Sequence, residues 1–286
     1  MKPFAILCSW VLLCSVARAE PGPELPSITV RCGQTGLLLR KASQWTPGRI
    51  DFRDRAMTTE HSAYGTVFSF PGVGFIGTGH LENEPEPLVS LAFFLDGKEA
   101  EPAAEMSGET FRFVRESTVR DFRLRCEVEL RGDRLFETTT VRTGKEVPLT
   151  LVYHFMHAWN PTVSAFLAGS DAAPNEVEGG AFLDTEEATR KFHIQRRVDW
   201  IAVYDPTIGQ FAVSRLLAAP EAAGNVSTIW NVPGTYRKYY LKCFEKRPVP
   251  TGFEETWRMV TGFGEADADS WEGKARELAA ALVGAE

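Results

Sequence analysis

Two of the five histidines lie in one predicted strand, Leu149 to Asn160, among aromatic side chains. An extended chain alternates its faces, so His154 and His157 are expected to point to opposite sides. One face then carries Tyr153, Phe155, His157 and Trp159, and the other carries Val152, His154 and Met156. Imidazole transfers protons near neutral pH, and aromatic rings offer stacking surface to a sugar. We expect His157 to be the working acid or base, with His154 as second choice and Tyr153 and Trp159 as binding residues; the inside of a β-sheet would show the same pattern.

A second cluster, Tyr236-Arg237-Lys238-Tyr239-Tyr240, follows a Pro233-Gly234 turn and runs on to Glu245. Arg237 is suited to a carboxylate or hydroxyl groups, Tyr239 to stacking and Tyr236 to proton transfer. Glu245 follows Cys243 and Phe244, and an unpaired carboxylate there could accept a proton. An edge strand with solvated basic side chains, and a Glu245 that simply faces water, are the alternatives.

Outside these two clusters, His80 is the remaining candidate for substrate binding. It follows the glycine-rich segment that starts at Gly72, so it belongs to a binding loop or to a surface turn. The sequence contains no His-Glu-x-x-His, Gly-x-Ser-x-Gly, phosphate-loop or dinucleotide motif, which argues against the common zinc protease, serine hydrolase and nucleotide-dependent classes. No metal and no cofactor is implied.

The first 19 residues predict a cleavable signal peptide. Lys2 precedes an apolar run from Phe4 to Val16, and Ala17-Arg18-Ala19 is a small-x-small cleavage pattern. Without Lys2 and Arg18, 29 of the 31 basic residues remain against 38 acidic ones, a net charge of −9. We therefore expect a secreted or periplasmic protein, residues 20–286 in one domain, whose partner is neither nucleic acid nor a membrane. Three cysteines remain, at positions 32, 126 and 243, and their spacing leaves their disulfide state open.

The clearest strand is Phe122 to Leu130, in which apolar and charged residues alternate without exception. Gly132 turns it into a strand from Leu135 to Arg142, and Gly144 turns that one into Leu149 to Asn160. These three strands predict an antiparallel meander. With about a dozen or more strands, the chain exceeds an immunoglobulin-type sandwich, so we predict an all-β fold with a large antiparallel two-sheet sandwich.

The last element is a predicted helix, capped by Ser270 or Asp269, because apolar residues recur there at helical spacing. Those residues are Trp271, Ala275, Leu278 and Leu282. Two segments lack strand periodicity and are predicted as loops, 41–64 and 168–180.

The order of features in the second half of the chain resembles the galactose mutarotase-like β-supersandwich. The histidine strand comes first, and Leu241-Lys242-Cys243-Phe244-Glu245, Pro250-x-Gly252 and a Thr-rich last strand follow. In aldose epimerases and hexose-6-phosphate mutarotases, a strand histidine is the general acid and a glutamate before a Pro-Gly turn is the general base. The resemblance implies His157 or His154 as the acid and Glu245 as the base. The terminal helix with Trp271 is more similar to the lyase- and hydrolase-associated members of that superfamily.

Two hypotheses follow. The first is a carbohydrate-active enzyme, an epimerase or mutarotase or a polysaccharide lyase, in which Arg237 would neutralise a uronate carboxylate. The second is a non-catalytic carbohydrate-binding or structural module. They differ in whether a histidine and Glu245 meet in one cleft.

Overall fold

The computed structural model describes residues 22–60, 65–77, 79, 83–185, 187 and 192–285, and most of these lie in β-strands. In chain order the elements are β1 Ser27–Cys32, β2 Thr35–Arg40, β3 Pro47–Phe52, β4 Arg55–Ala56, β5 Thr66–Phe70, β6 Gly74–Gly77, β7 Leu88–Leu95, β8 Lys98–Glu99, β9 Glu105–Gly108, β10 Thr110–Val119, β11 Phe122–Arg131, β12 Arg134–Thr143, β13 Leu151–Trp159, β14 Ala165–Ser170, β15 Ala173–Ala181, β16 Phe192–Arg196, β17 Trp200–Asp205, β18 Gln210–Ala218, β19 Val226–Val232, β20 Tyr236–Cys243, β21 Phe253–Glu265 and α1 Trp271–Ala281.

The strands form a sandwich of two large sheets with a smaller third sheet. The ten-stranded sheet has the order β15-β14-β17-β18-β21-β12-β11-β10-β7-β8, and the six-stranded sheet has the order β16-β19-β20-β13-β5-β6. A five-stranded sheet, β4-β3-β2-β1-β9, completes the described structure. The predicted all-β sandwich with a C-terminal helix is confirmed.

Aromatic side chains fill the space between the two large sheets. Phe68 of β5 stacks on Phe122 of β11 with ring centroids 4.4 Å apart. Phe52 of the small sheet stacks on Phe263 of β21 at 5.6 Å, so the same apolar core extends to the third sheet. Each such ring removes on the order of 150–250 Å² from water, which is the main force that holds the sheets together.

The alternating strand β11 has its apolar residues in the core and its charged residues outward, as predicted. It pairs with β12 in a regular antiparallel register. The third strand of the predicted meander is wrong, because β12 pairs next with β21 and β13 lies in the six-stranded sheet. After Thr143 the chain crosses from one sheet to the other. A glycine turn in the sequence is compatible with such a crossing as well as with a hairpin, so the sequence alone did not separate the two.

The two predicted loops also contain strands. Segment 41–64 includes β3 and β4, and segment 168–180 forms most of the hairpin β14–β15. β15 is exposed along most of its length and lies at the edge of the ten-stranded sheet, so it has no buried face to impose an apolar period of two.

Helix α1 packs on β17, β18 and β21 through the predicted Trp271, Ala275, Leu282 and partly buried Leu278, and also through Ala279. Trp271 stacks on Tyr204 at 5.2 Å. Ser270 is the N-cap residue, as one of the two predicted caps, but it caps the helix in a different way. Ser270 makes no side-chain cap bond, and Asp267 Oδ1 accepts the Ser270 N–H at 2.9 Å just before the helix. Within the described residues, no helix has the length and hydropathy needed to cross a membrane.

Candidate functional site

The histidine strand β13 contains a β-bulge that reverses its alternation. His154 pairs with Leu241 and His157 with Tyr239, so three steps on β13 match two steps on β20. The extra residue is accommodated at Phe155, whose φ is +54°. The prediction of opposite faces for the two histidines is therefore wrong: both point into the space between the two large sheets.

His154 is a fully buried, neutral residue of this inner face. Its Nδ1 lies 3.0 Å from Thr66 Oγ1, and its ring packs on Trp257 with centroids 4.3 Å apart. The Thr66 hydroxyl donates onward to Thr139, which indicates that the imidazole Nδ1–H is the donor. Burial lowers the pKa of His154 to about 3, so the ring is uncharged at neutral pH.

His157 joins the two sheets through a polar cluster. Its Nε2 lies 2.7 Å from Glu137 Oε2 on β12, and its Nδ1 lies 3.5 Å from Ser214 Oγ on β18. Serine, histidine and carboxylate in series resemble a hydrolase triad. All three residues are buried, and Ser214 Oγ also bonds Thr261 Oγ1 at 2.8 Å, so the serine lacks the open approach of a nucleophile. The cluster cross-links the sandwich.

The predicted binding residues Trp159, Arg237 and Tyr239 also face inward and are buried. Arg237 donates to the carbonyls of Val163 and Pro161 at 3.0 and 2.8 Å, and it pairs with Asp184. These bonds fix both the β13–β14 connection and the segment after β15 against β20. Burial raises the pKa of Tyr239 well above its ordinary value, so its hydroxyl does not ionise near neutrality. As placed, these three side chains do not line an open binding surface.

Glu245 does not meet either histidine. It lies six residues beyond Tyr239, the partner of His157, which is roughly 20 Å along an extended strand. Its side chain is half exposed and pairs with Lys242 at 2.9 Å. The positive φ of Phe244 turns the chain before Glu245, so Glu245 does not continue the alternation that would have placed it on the face of Arg237 and Tyr239.

The outer face of the six-stranded sheet gathers a different set of residues. On the regular strand β20, alternate side chains point outward, and the bulge leaves Tyr153 on the same outer side. We call this set the tyrosine–lysine face: Tyr153, Tyr236, Lys238, Tyr240 and Lys242. The rings of Tyr153 and Tyr240 lie 5.1 Å apart. Of the nine predicted site residues, Tyr153 and Tyr236 belong to it, and Glu245 lies at its end.

Lys238 is central to the tyrosine–lysine face. Its Nζ lies 5.0 Å from the ring centroids of both Tyr153 and Tyr240, within cation–π range. Burial lowers the pKa of Lys238 to about 8. Burial also raises the pKa of Tyr240 to about 12, and the charge of Glu245 contributes to that rise. The face thus combines aromatic rings with a poorly solvated amine that lies against two of them.

Further aromatic side chains extend this face on both sides. Trp230 of β19 is directly opposite Lys238 and packs against Phe192 at 6.1 Å. Phe75 of β6 is 37% exposed and lies 6.0 Å from Tyr153. Lys238, Tyr240 and Trp230 were not singled out in the sequence. Alternation along Tyr236 to Cys243 would have grouped Lys238 with Tyr236 and Tyr240, because this strand has no bulge.

Some predictions fall outside the described residues, namely His80 and the signal peptide. Among residues that are described, no three His, Cys, Asp or Glu side chains are grouped in a way that would hold a metal ion. The three cysteines of the described chain, Cys32, Cys126 and Cys243, are free and buried. Burial raises the pKa of Cys32 and of Cys126 to about 11, so these thiols are structural core groups.

Comparison with solved structures addresses the fold. A galactose mutarotase-like protein from Lactobacillus casei superposes with a TM-score of 0.53 at 9% identity, over 83% of this chain and 100% of that one. The Slr1438 protein from Synechocystis superposes with a TM-score of 0.54 at 10% identity, over 86% and 97% of the two chains. The chain has the galactose mutarotase-like fold.

The same fold also occurs inside a larger enzyme. The galactosidase domain of an alpha-galactosidase-sucrose kinase superposes with a TM-score of 0.54 at 9% identity, over 86% of this chain and 42% of that one. No family model matches the chain, and no curated protein sequence matches it. The resemblance predicted from the sequence is therefore confirmed for the fold.

The inner and outer faces of the six-stranded sheet differ in which polar groups a ligand could contact. The inner histidines are buried, and their ring nitrogens contact only protein groups among the described residues. On the outer face, Tyr236 and Tyr240 are partly exposed and offer ring and hydroxyl groups over the buried Tyr153, and Lys238 offers a positive charge or, when deprotonated, a base. The tyrosine–lysine face is the candidate site.

Proposed function

We propose that the protein binds a carbohydrate on the tyrosine–lysine face. The observation that carries this proposal is that the partly exposed Tyr240 and Lys238 lie side by side on the outer face, with the ring of the buried Tyr153 against both. Rings of this kind give large contact area at low entropic cost, and their hydroxyls add hydrogen bonds to a polyhydroxylated ligand.

The neighbouring residues support an extended ligand rather than a single small one. Trp230 and Phe192 continue the aromatic surface toward the β16 edge, and Phe75 continues it toward β6. The aromatic residues thus follow the width of the sheet across β16, β19, β20, β13 and β6. A chain of several sugar units can contact such a row one unit after another.

The test is a glycan array followed by calorimetric titration of the purified protein with its best ligand. Tyr240→Ala is expected to weaken binding about tenfold or more, since one stacked ring contributes on the order of 1–2 kcal/mol. Phe94→Ala is the matched control, because Phe94 is a partly buried ring on the distant outer side of the ten-stranded sheet. Absence of binding to any glycan, or equal losses in both variants, contradicts the proposal.

A second candidate function is acid–base chemistry on the bound sugar, as in mutarotation, epimerisation or polysaccharide β-elimination. The observation that favours it is the lowered pKa of Lys238, about 8. An amine with that pKa is partly neutral near pH 8 and can accept a proton from a sugar carbon or hydroxyl.

This chemistry is tested by incubating the protein with free sugars and with uronate polymers. Optical rotation reports mutarotation, and ultraviolet absorbance reports the unsaturated product of elimination. Lys238→Met is expected to abolish either signal, and the rate should rise with pH through about 8. Silence in both assays while glycan binding persists leaves the binding module as the function.

We also propose that the protein is exported, on the basis of the signal-peptide pattern in residues 1–19. Amino-terminal sequencing of the protein recovered from the host's extracytoplasmic fraction is expected to begin at Glu20. A product retained in the cytoplasm with residues 1–19 intact would contradict this.

A further inference from the structure

The two lysines of the tyrosine–lysine face differ in how their charges are balanced. Lys242 is buried, and its Nζ pairs with Glu245 Oε2 at 2.9 Å, so its positive charge is neutralised within the protein. Lys238 lies four residues earlier on the same face. No carboxylate pairs with Lys238 among the residues that the structure describes.

The surroundings of Lys238 stabilise a cation without neutralising it. Its register neighbours across the sheet are Ala158 on β13 and Trp230 on β19, neither of which carries a charge. The rings of Tyr153 and Tyr240 lie within cation–π distance on the outer side. Ring faces attract a cation only modestly, and a partly desolvated ammonium gains much more from an anion.

Glu245, the acidic residue near this face, does not pair with Lys238. Glu245 is engaged by Lys242, and it follows the end of β20, whereas Lys238 lies in the middle of the strand. The adjacent Arg237 points to the inner side and pairs with Asp184. Lys238 is thus the one cation of the tyrosine–lysine face that the described residues leave for a ligand.

We infer that Lys238 forms an anion subsite, so that the carbohydrate bound on the tyrosine–lysine face is an acidic one, with a carboxylate or sulfate ester placed against the ammonium group. This inference rests on the proposed function and specifies its substrate class. The stacked rings would hold the sugar, and Lys238 would select the acidic unit, a task that sequence reasoning had given to Arg237.

Three probes test this inference by isothermal titration: an oligogalacturonate, the same oligosaccharide after reduction of its carboxyl groups, and a chondroitin sulfate oligosaccharide. The protein is expected to bind the acidic form about tenfold or more tightly than the reduced form. Lys238→Met should lower the affinity for the acidic form about tenfold, to that of the reduced form, because the ammonium group that pairs with the anion is lost. Lys238→Arg should retain most of this preference.

Lys98→Met is the matched control, because Lys98 is an exposed lysine on β8 of the other large sheet. If Lys98→Met and Lys238→Met lower acid preference equally, the preference comes from overall charge and the anion subsite is overturned. Equal affinity of the unmodified protein for the acidic and reduced forms also overturns it, while carbohydrate binding itself stands. Binding of no glycan overturns both proposals. A preference for the oligogalacturonate alone identifies the anion as a carboxylate, and a preference that includes the chondroitin sulfate oligosaccharide extends it to sulfate esters. Either preference supports the subsite if Lys238→Met loses it.

Discussion

The two faces of strands β13 and β20 carry similar residue types and use them differently. On the inner face, His154, His157 and Arg237 each contact a defined protein partner: Thr66, Glu137 and Asp184, respectively. On the outer face, Lys238 contacts ring faces and no carboxylate of the described chain. A polar side chain whose partners are all internal contributes to the fold, whereas one left without a countercharge is available to a ligand.

Neighbouring residues of β20 provide the largest test of this difference. Arg237→Met leaves the carbonyls of Pro161 and Val163 without their donor and removes the partner of the half-exposed Asp184, and it is expected to reduce the free energy of unfolding by about 3–4 kcal/mol. Lys238→Met, one residue along, should not reduce it, because burial already disfavours the charged amine in the folded state. Urea titration measures the free energy of unfolding of both variants. Similar losses in the two would contradict the assignment of Arg237 to the fold and of Lys238 to a ligand.

Acid should destabilise the protein through the inner face. His154 binds a proton with a pKa of about 3 when folded and about 6.5 when unfolded, so the unfolded state holds more protons between these values. Stability from this residue is complete above pH 6.5 and falls as the pH drops, by on the order of 3 kcal/mol at pH 4.

The matched variant for this pH dependence is His154→Phe, which keeps a ring against Trp257 and does not titrate. Its unfolding free energy should depend less steeply on pH between 6.5 and 4 than that of the unmodified protein. Identical slopes in thermal or urea denaturation would show that His154 is not the acid-sensitive group.

A smaller effect is expected from the buried Ser214–His157–Glu137 cluster. His157→Phe removes the bond to Glu137 and leaves its carboxylate poorly paired, at a cost of about 2 kcal/mol. Carbohydrate affinity of the folded variant should not change, because the cluster faces away from the tyrosine–lysine face. If folded His157→Phe protein lost carbohydrate affinity, this prediction would be wrong and His157 would belong to the binding site.

The last effect concerns alkaline pH. Lys238 loses its proton at about pH 8 when folded and at about pH 10.5 when unfolded, so the unfolded state holds more protons in that window. Its contribution to stability should therefore rise, by on the order of 2–3 kcal/mol, as the pH increases from 8 to 10.5. The rise should be absent in Lys238→Met and reversed in direction by a bound acidic sugar, which favours the charged amine.

Sequence periodicity was a reliable guide where one face of an element is buried and the other solvated. The alternation of β11 and the helical spacing of α1 both describe such elements, and both predictions hold. The same approach failed for β15, which is exposed at a sheet edge, and for β13, whose inner and outer sides are both buried. In neither strand does burial distinguish one face from the other.

The candidate site shows the same limits. The sequence predicted functional residues on β13 and β20, the two strands that carry the candidate site, and it named Tyr153 and Tyr236. It chose the inner histidines because one extra residue at Phe155, a position with no glycine to announce a positive φ, reverses the faces of the strand. The sequence could not identify Lys238, because its role depends on which described carboxylates lie near it, and that is a property of the assembled sheet.

By itself, the sequence determined the fold class, the terminal helix and the two strands that carry the aromatic and basic residues. Local periodicity and turn chemistry suffice for these, since they depend on neighbours a few residues apart. The tertiary structure alone decided which side of each strand faces the core, which sheet receives β13, and which charges are paired. Those outcomes depend on contacts between residues far apart in the chain, such as His157 with Glu137, and on β13 a single bulge reverses the side that the following residues face.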